Sequence, residues 1–205
     1  KYMSEVLKGV KVLDFGRYIA GPFCGTLLGD LGADVIRIEK VDGSEDRFLS
    51  PITEDGDGAL FMQLARNKRS LTLNPMKPEG REVVKRLVAT ADVVVANLPP
   101  DTLEAMGLDY NSLRAIKPDI ILASVSGFGQ SGPYAEYIGY GPSSAPLTGL
   151  CDMTGYCDGS PDEIGLSMPD PTAGITAAWA VVSALAHRDA TGEGDHLCLL
   201  YTSDA

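Results

Sequence analysis

Residues 10–40, VKVLDFGRYIAGPFCGTLLGDLGADVIRIEK, run from strand to turn to helix to second strand without a break, and this unit restricts the chain to an α/β sheet. Val10, Val12, Leu13 and Phe15 form an apolar run of strand length. Gly21-Pro22 open a helix carrying Phe23, Leu27, Leu28 and Leu31 at helical spacing, Gly32 closes it, and 34–39 is the second strand. Such a unit puts the first turn and the helix N-terminus at the carboxyl edge of the sheet, where open α/β proteins bind ligands. The dinucleotide fingerprint G-x-G-x-x-G is missing from that turn, which holds Arg17 and Ala20-Gly21-Pro22 instead. An ordinary NAD site is disfavoured there.

The alternation continues. Strands are expected at 70–73, 92–96 and 119–124, with helices at 78–90, 102–106 and 110–116, which predicts a mainly parallel, doubly wound sheet of Rossmann type. Residues 127–169 are rich in Gly, Pro, Ser and Tyr and have no clear period; they read as a long surface crossing, and segments of that length inside a compact domain are often functional. Residues 175–187, apolar nearly all round, predict a buried helix. Gly127, Gly129 and Gly132 do satisfy G-x-G-x-x-G after a strand, yet Gly139, Gly141 and Pro142 would break the helix that must follow. These glycines are expected to shape a turn that lets backbone approach a ligand.

A net charge of −11 over 205 residues repels nucleic acid and anionic membranes at long range. No apolar run reaches the length of a membrane span and no signal peptide is evident, so a cytoplasmic protein with neither nucleic-acid nor membrane partners is expected. Cys24, Cys151, Cys157 and Cys198 lack C-x-x-C spacing, and only His187 and His196 could join them; neither a metal site nor a disulfide framework is suggested. Two basic groups stand out, Arg66 to Arg69 before the third strand and Arg37 with Lys40 around the end of the second. Either they are a solvated strand edge, or Lys40, Lys68 and Arg69 meet at one sheet edge and pair with phosphates.

Asp170, in Met168-Pro169-Asp170-Pro171, also has two readings. An Asp followed by Pro is a good N-cap with Pro at the first helical position. The same geometry suits a carboxylate nucleophile, since Asp is ionised at neutral pH without a partner base and amides at a helix start favour the charged form.

Taken together, VLDFGRYIAGPFCGTLLGDLGADVIRIEK, NKRSLTLN, NLPPDTLEAMGL, ILASVSGFGQSGPY and MPDPTAG occur in the right order to resemble the family III CoA-transferases, over nearly the whole chain. The resemblance implies a Rossmann-like large domain and exchange of CoA between an acyl-CoA donor and a carboxylic acid acceptor. Coenzyme A then enters as co-substrate and no prosthetic group is bound. It implies that Asp170 is the nucleophile, forming anhydride and aspartyl-CoA thioester intermediates. It further implies that Lys40 contacts CoA, that Ile19 and Asn97 line the CoA cleft, and that Tyr140 lies near the nucleophile. Amides near Gly139, Tyr140 and Gly141 are candidate donors to a developing oxyanion. Leu147, Leu166 and Met168 are candidates for the acyl pocket.

The departures matter as well. Asn97-Leu98-Pro99-Pro100-Asp101 stands where many relatives read Asn-Phe-Arg-Pro-Gly, and Ala105 replaces a position that is basic in some members, so an aromatic and cations that help hold CoA are absent. Acyl-CoA racemases of the same superfamily place a His near position 140 for proton transfer; here residues 1–186 contain none, which favours the transferase over the racemase. A non-catalytic CoA-binding fragment is the third reading. The resemblance implies a longer chain that assembles as an interlocked homodimer, so 1–197 is expected to be an incomplete large domain. Residues 198–205 depart from the family's Val-Asp-x-Ser-Leu pattern and read as a tail open to being non-native, as Lys1-Tyr2 before Met3 suggests an imprecise start.

Overall fold

The computed structural model describes residues 5–165 and 167–201. Its centre is a parallel sheet of β1 (Lys11–Asp14), β2 (Asp34–Glu39), β3 (Lys68–Thr72), β4 (Val93–Ala96), β5 (Ile121–Ser126) and β6 (His196–Leu200), in the order β3-β2-β1-β4-β5-β6. Every pairing is parallel. The doubly wound sheet predicted from the sequence is thus observed, with His196–Leu200 added as a sixth strand beside β5.

The helices are α1 (Ala20–Asp30), α2 (Ala59–Leu64), α3 (Pro78–Val88), α4 (Pro100–Met106), α5 (Tyr110–Ile116), α6 (Gly141–Leu147) and α7 (Pro169–Thr191). Their ends follow local chemistry. Pro78 opens α3, Glu79 sits in its first turn and Lys85 with Arg86 in its last, complementing the helix dipole. Asp109 caps α5 by accepting from the Ser112 N–H at 3.0 Å. Gly192, at φ 78°, stops α7 in a left-handed turn that a side chain would strain.

Each sheet face carries its own apolar core. On one, Val12, Val35, Val93, Ile121 and Ala123 pack with Cys24 and Leu28 of α1 and with Ala177, Val181 and Leu185 of α7. On the other, Leu13, Phe15, Val94 and Leu122 pack with Val84, Leu103 and Leu113 of α3, α4 and α5. Central β4 is buried on both faces, which explains its unbroken Val-Val-Val-Ala. α1 and α7 approach closely because Gly174 has no side chain; a Cβ there would lie 2.9 Å from the Ala20 carbonyl oxygen.

Several expectations change. Residues 127–169 contain α6, whose Gly-Pro-Ser-rich sequence has no helical apolar stripe, and 59–64 form α2, too short at six residues to show a period. The long helix begins at Pro169 with Met168 as its N-cap, so Asp170 is not the cap but lies in the first turn. Nor is that helix wholly buried: Ile175 is 55% exposed and Trp179 71% exposed, because α1 and the sheet cover only its Ala-rich side. The glycines after β5 serve a backbone crossing: a Cβ on Gly127 would come within 2.7 Å of the Gly139 Cα. No helix among the described residues is long and apolar enough to cross a membrane.

Candidate active site

In this strand order the chain reverses direction between β1 and β4, and the crevice outside their carboxyl ends is where such sheets take ligands. Residues 16–18 leave β1 there and residues 97–99 leave β4. The two turns are stitched by Asn97, whose Oδ1 accepts from the Arg17 N–H at 2.6 Å while its Nδ2 donates to the Arg17 carbonyl at 2.8 Å. A Cβ on Gly21 would sit 2.9 Å from Asn97 Oδ1, so the glycine that opens α1 is what lets the amide in. Asn97 therefore sits in the cleft as expected, and it also fixes the shape of the turn. Beyond it Tyr18 takes a left-handed φ of 59°, uncommon for an aromatic residue and held here against the Tyr140 ring at 6.0 Å.

Asp170 reaches the same crevice from the first turn of α7. It shares a cavity of about 190 Å³ with Arg17, Tyr18, Asn97, Gly139 and Tyr140. The residue is 7% exposed, and its carboxylate makes no ion pair among the described residues. Burial pushes its pKa up to about 6, against hydrogen bonds from the Gly141 and Asp170 amides. Gly141 is obligatory in this arrangement, because a Cβ on it would fall 2.1 Å from Asp170 Oδ2. Of the amides expected to serve an oxyanion, that of Gly141 thus holds the carboxylate, that of Tyr140 donates to Ser143 Oγ at 3.0 Å, and Gly139 lies in the cavity wall.

The remaining sequence candidates are dispersed. Ile19 lines a neighbouring apolar cavity with Phe23, Pro51, Leu64 and Pro171, on the other side of the α7 start. Lys40 is exposed and pairs with Glu45. The Lys68 side chain is buried: its Nζ donates to Asp14 Oδ2 at 2.7 Å and to the Pro22 carbonyl at 2.6 Å. Arg69 lies toward the amino end of the strands, bidentate to Asp34 at 2.6 and 2.8 Å. Lys40, Lys68 and Arg69 do not meet at one edge. Successive residues of a strand point to opposite faces, so neighbours in the sequence such as Lys68 and Arg69 part company. Leu147 and Met168 are 60% and 40% exposed and line no wall of the Asp170 cavity, and Leu166 lies outside the described residues.

The sequence reading missed the charged layer beneath the crevice. Arg37, buried on β2, is bidentate to Asp46 at 2.7 Å, and Glu39 receives Arg47 at 2.7 Å and Ser70 at 2.6 Å. Burial would raise the Glu39 pKa, but bonds from Arg47, Ser70 and Ser44 outweigh it and hold the carboxyl at about 2. The Phe61 ring stacks on Arg47 at 4.0 Å. The signal was present in DVIRIE, where charges interrupt a strand that is buried on both faces. Tyr201 also reaches the cavity wall, its hydroxyl accepting from Asn97 Nδ2 at 3.3 Å. Among the described residues no cluster of three His, Cys, Asp or Glu side chains could hold a metal ion.

Comparison with known proteins matches residues 7–203 to CoA-transferase family III. The chain is 40% identical over 198 residues to a succinate–glutarate CoA-transferase of Agrobacterium fabrum, covering 93% of this chain and 50% of that protein. It is 41% identical over 189 residues to a succinyl-CoA–D-citramalate CoA-transferase of Chloroflexus aurantiacus, covering 92% of this chain and 47% of that one. A CAIB/BAIF family protein of Brucella suis superposes with a TM-score of 0.92 at 41% identity, over 97% of this chain and 54% of the other. The chain spans about half the length of the curated relatives it matches.

Proposed function

The chain belongs to CoA-transferase family III, and from that premise we propose that it carries the nucleophilic half of an acyl-CoA:carboxylate CoA-transferase with Asp170 as the nucleophile. The observation that carries this reading is a buried aspartate whose carboxylate is unpaired with any cation among the described residues and held by the Gly141 amide in the cavity at the switch of the sheet. A carboxylate whose pKa lies near 6 is still mostly ionised at neutral pH and is more basic than an ordinary one, both of which favour attack on a carbonyl.

Asp170 attacks the thioester carbonyl of the acyl-CoA; the C–S bond breaks, CoA leaves as thiolate, and a mixed anhydride forms. The thiolate then attacks the aspartyl carbonyl of the anhydride, expels the donor acid as its carboxylate and leaves an Asp170-CoA thioester. An acceptor carboxylate attacks that thioester, thiolate departs again, and its return to the acceptor's carbonyl yields the new acyl-CoA and free Asp170. The number of thioester-equivalent bonds is unchanged, so no nucleotide is consumed. The oxyanion in each step needs a donor, and the Gly141 amide becomes available as Asp170 loses its charge. Lys40, Asn97 and Tyr140 form the CoA-facing rim, with Ile19 on the adjoining cavity, whereas Lys68 and Arg69 serve the fold through Asp14 and Asp34. Tyr201 takes no part in these steps; its hydroxyl accepts from Asn97 Nδ2.

Succinate, glutarate and D-citramalate, named for the relatives above, are all dicarboxylic acids, and we extend that class to this chain. The test is to incubate the chain with a panel of acyl-CoA esters, quench with hydroxylamine and map adducts by mass spectrometry. A hydroxamate at Asp170, lost in Asp170→Ala, is expected. CoA binding with no adduct from any ester would sink the reading, and uptake of solvent deuterium at the α-carbon would point to a racemase instead.

A further inference from the structure

Arg17 is a cation in the wall of the Asp170 cavity that forms no ion pair among the described residues. Its Nη1 donates to three carbonyls, those of Phe15 at 3.2 Å, Gly16 at 3.0 Å and Ile38 at 3.2 Å, which fixes the guanidinium across the carboxyl ends of β1 and β2. Its Nε and Nη2 have no hydrogen-bond partner among the described residues, and the side chain makes no ion pair there. Burial lowers its pKa and so does the nearby Arg37, while Asp14, Asp46 and Glu45 act the other way. Each of those three carboxylates already belongs to another cation: Asp14 to Lys68, Asp46 to Arg37, and Glu45 to Lys40. Arg17 is left over, a half-buried positive charge in a chain of net charge −11.

A half-buried guanidinium with one edge engaged and the Nε–Nη2 edge open presents the fork that binds a carboxylate bidentately. The same small cavity holds an unpaired carboxylate, Asp170, and an unpaired cation, Arg17, without joining them in an ion pair. A substrate with an electrophilic carbonyl at one end and an anion at the other satisfies both. At about 190 Å³ the cavity suits a short acyl group rather than the adenosine diphosphate part of CoA. We infer that Arg17 is the specificity residue of this site, receiving the far carboxylate of a short dicarboxylic acyl group whose thioester carbonyl is presented to Asp170. The inference rests on the transferase reading, and it names which residue selects a dicarboxylic substrate over a monocarboxylic one.

The experiment compares succinyl-CoA with butyryl-CoA, which has a methyl group where succinyl has the far carboxylate, by rate of hydroxamate formation at Asp170. Binding of free succinate and of CoA to the same chain is measured by calorimetry. Charge-assisted bonds of this kind give a preference for succinyl of about 10- to 100-fold in the unmodified chain. In Arg17→Gln the ratio should fall toward one and succinate binding should vanish, while Arg17→Lys, which keeps the charge but loses the fork, should retain an intermediate ratio. No preference in the unmodified chain overturns the proposal even if both variants misfold. An equal fall for both esters, with weaker binding of CoA itself, also overturns it and assigns Arg17 to the CoA diphosphate. Adducts from both esters without discrimination would reject the role of Arg17 while leaving the nucleophile intact. Absence of any adduct would reject the transferase reading, and the succinate titration would still decide on Arg17.

Discussion

Two buried charged regions lie side by side under the carboxyl edge of this sheet, and they are built on opposite rules. Around β2 and β3, Asp14, Glu39 and Asp46 are each held by a cation at 2.7 Å, and Asp14 and Glu39 have their pKa values pulled below the ordinary range despite complete burial. Asp170, at the start of α7, is almost as buried, has no cation partner among the described residues, and has its pKa pushed up to about 6. Paired charges hold the first region in one arrangement. The unpaired carboxylate of the second stores an unsatisfied interaction, which is what a group awaiting a partner from solution requires.

The largest contrast should come from removing the Asp170 charge. Asp170→Asn is expected to abolish hydroxamate formation while making the protein more stable at neutral pH. The folded pKa of about 6 exceeds the ordinary value of 3.8, so this group's contribution to stability is complete below 3.8 and is lost as pH rises through 6. Melting temperatures measured from pH 4 to 8 should therefore diverge between pH 4 and about 6, with the variant gaining on the parent, and run parallel above pH 7. A variant less stable at pH 8 would break the comparison, since it would mean the carboxylate has a structural partner.

The paired region should respond in the reverse sense. Asp46→Ala strips the buried Arg37 of its bidentate partner and leaves it Glu39, 4.0 Å from its Nε and already bonded to Arg47, so about 3 kcal/mol of stability should be lost in urea denaturation. Replacing both partners with leucine should recover much of that loss, because the cost lies in the stranded charge. If Asp46→Ala were nearly neutral, the pair would be an exposed one in effect, and the contrast with Asp170 would collapse.

Gly141→Ala sharpens the comparison from the side of the cavity. The added Cβ would overlap Asp170 Oδ2 at 2.1 Å and Ser167 Cβ at 2.7 Å and force the carboxylate aside, so labelling should fall about 100-fold, a larger effect than the accompanying loss of unfolding free energy. An equal loss in stability would place Gly141 with the structural network.

Legibility from sequence followed the same division. The parallel sheet was readable because strands buried on both faces are continuous apolar runs, as in Val93–Ala96, and because Gly32 and Gly107 punctuate the helices. Asp170, Asn97 and Tyr140 were identified by family resemblance and share one cavity. What escaped was tertiary. Nothing local tells that Lys68 turns inward to Asp14 while its neighbour Arg69 turns outward to Asp34, or that Arg17 is the cation left over once Lys68, Arg37 and Lys40 have taken their carboxylates. α6 escaped because Gly141, Pro142 and Pro146 look like breakers, yet Pro142 lies in the first helical turn, where Pro is acceptable, and Ser143 Oγ supports the start by accepting from the Tyr140 N–H; Pro146 sits inside the helix against that rule.

Lys40 provides the smallest and most discriminating test. It follows the carboxyl end of β2, paired with Glu45 but with more than half of its side chain exposed. An exposed ion pair contributes less than about 1 kcal/mol, so Lys40→Ala should leave the urea midpoint almost unchanged. If Lys40 belongs to the CoA-facing rim, the same change should weaken CoA binding severalfold, with an effect that shrinks as salt rises, because an exposed cation reaches a phosphate through screened solvent. Glu45→Gln should then strengthen CoA binding by freeing the ammonium. A measurable stability loss without any change in CoA affinity would instead join Lys40 to the paired network below it, and the boundary between the two regions would move outward to the rim.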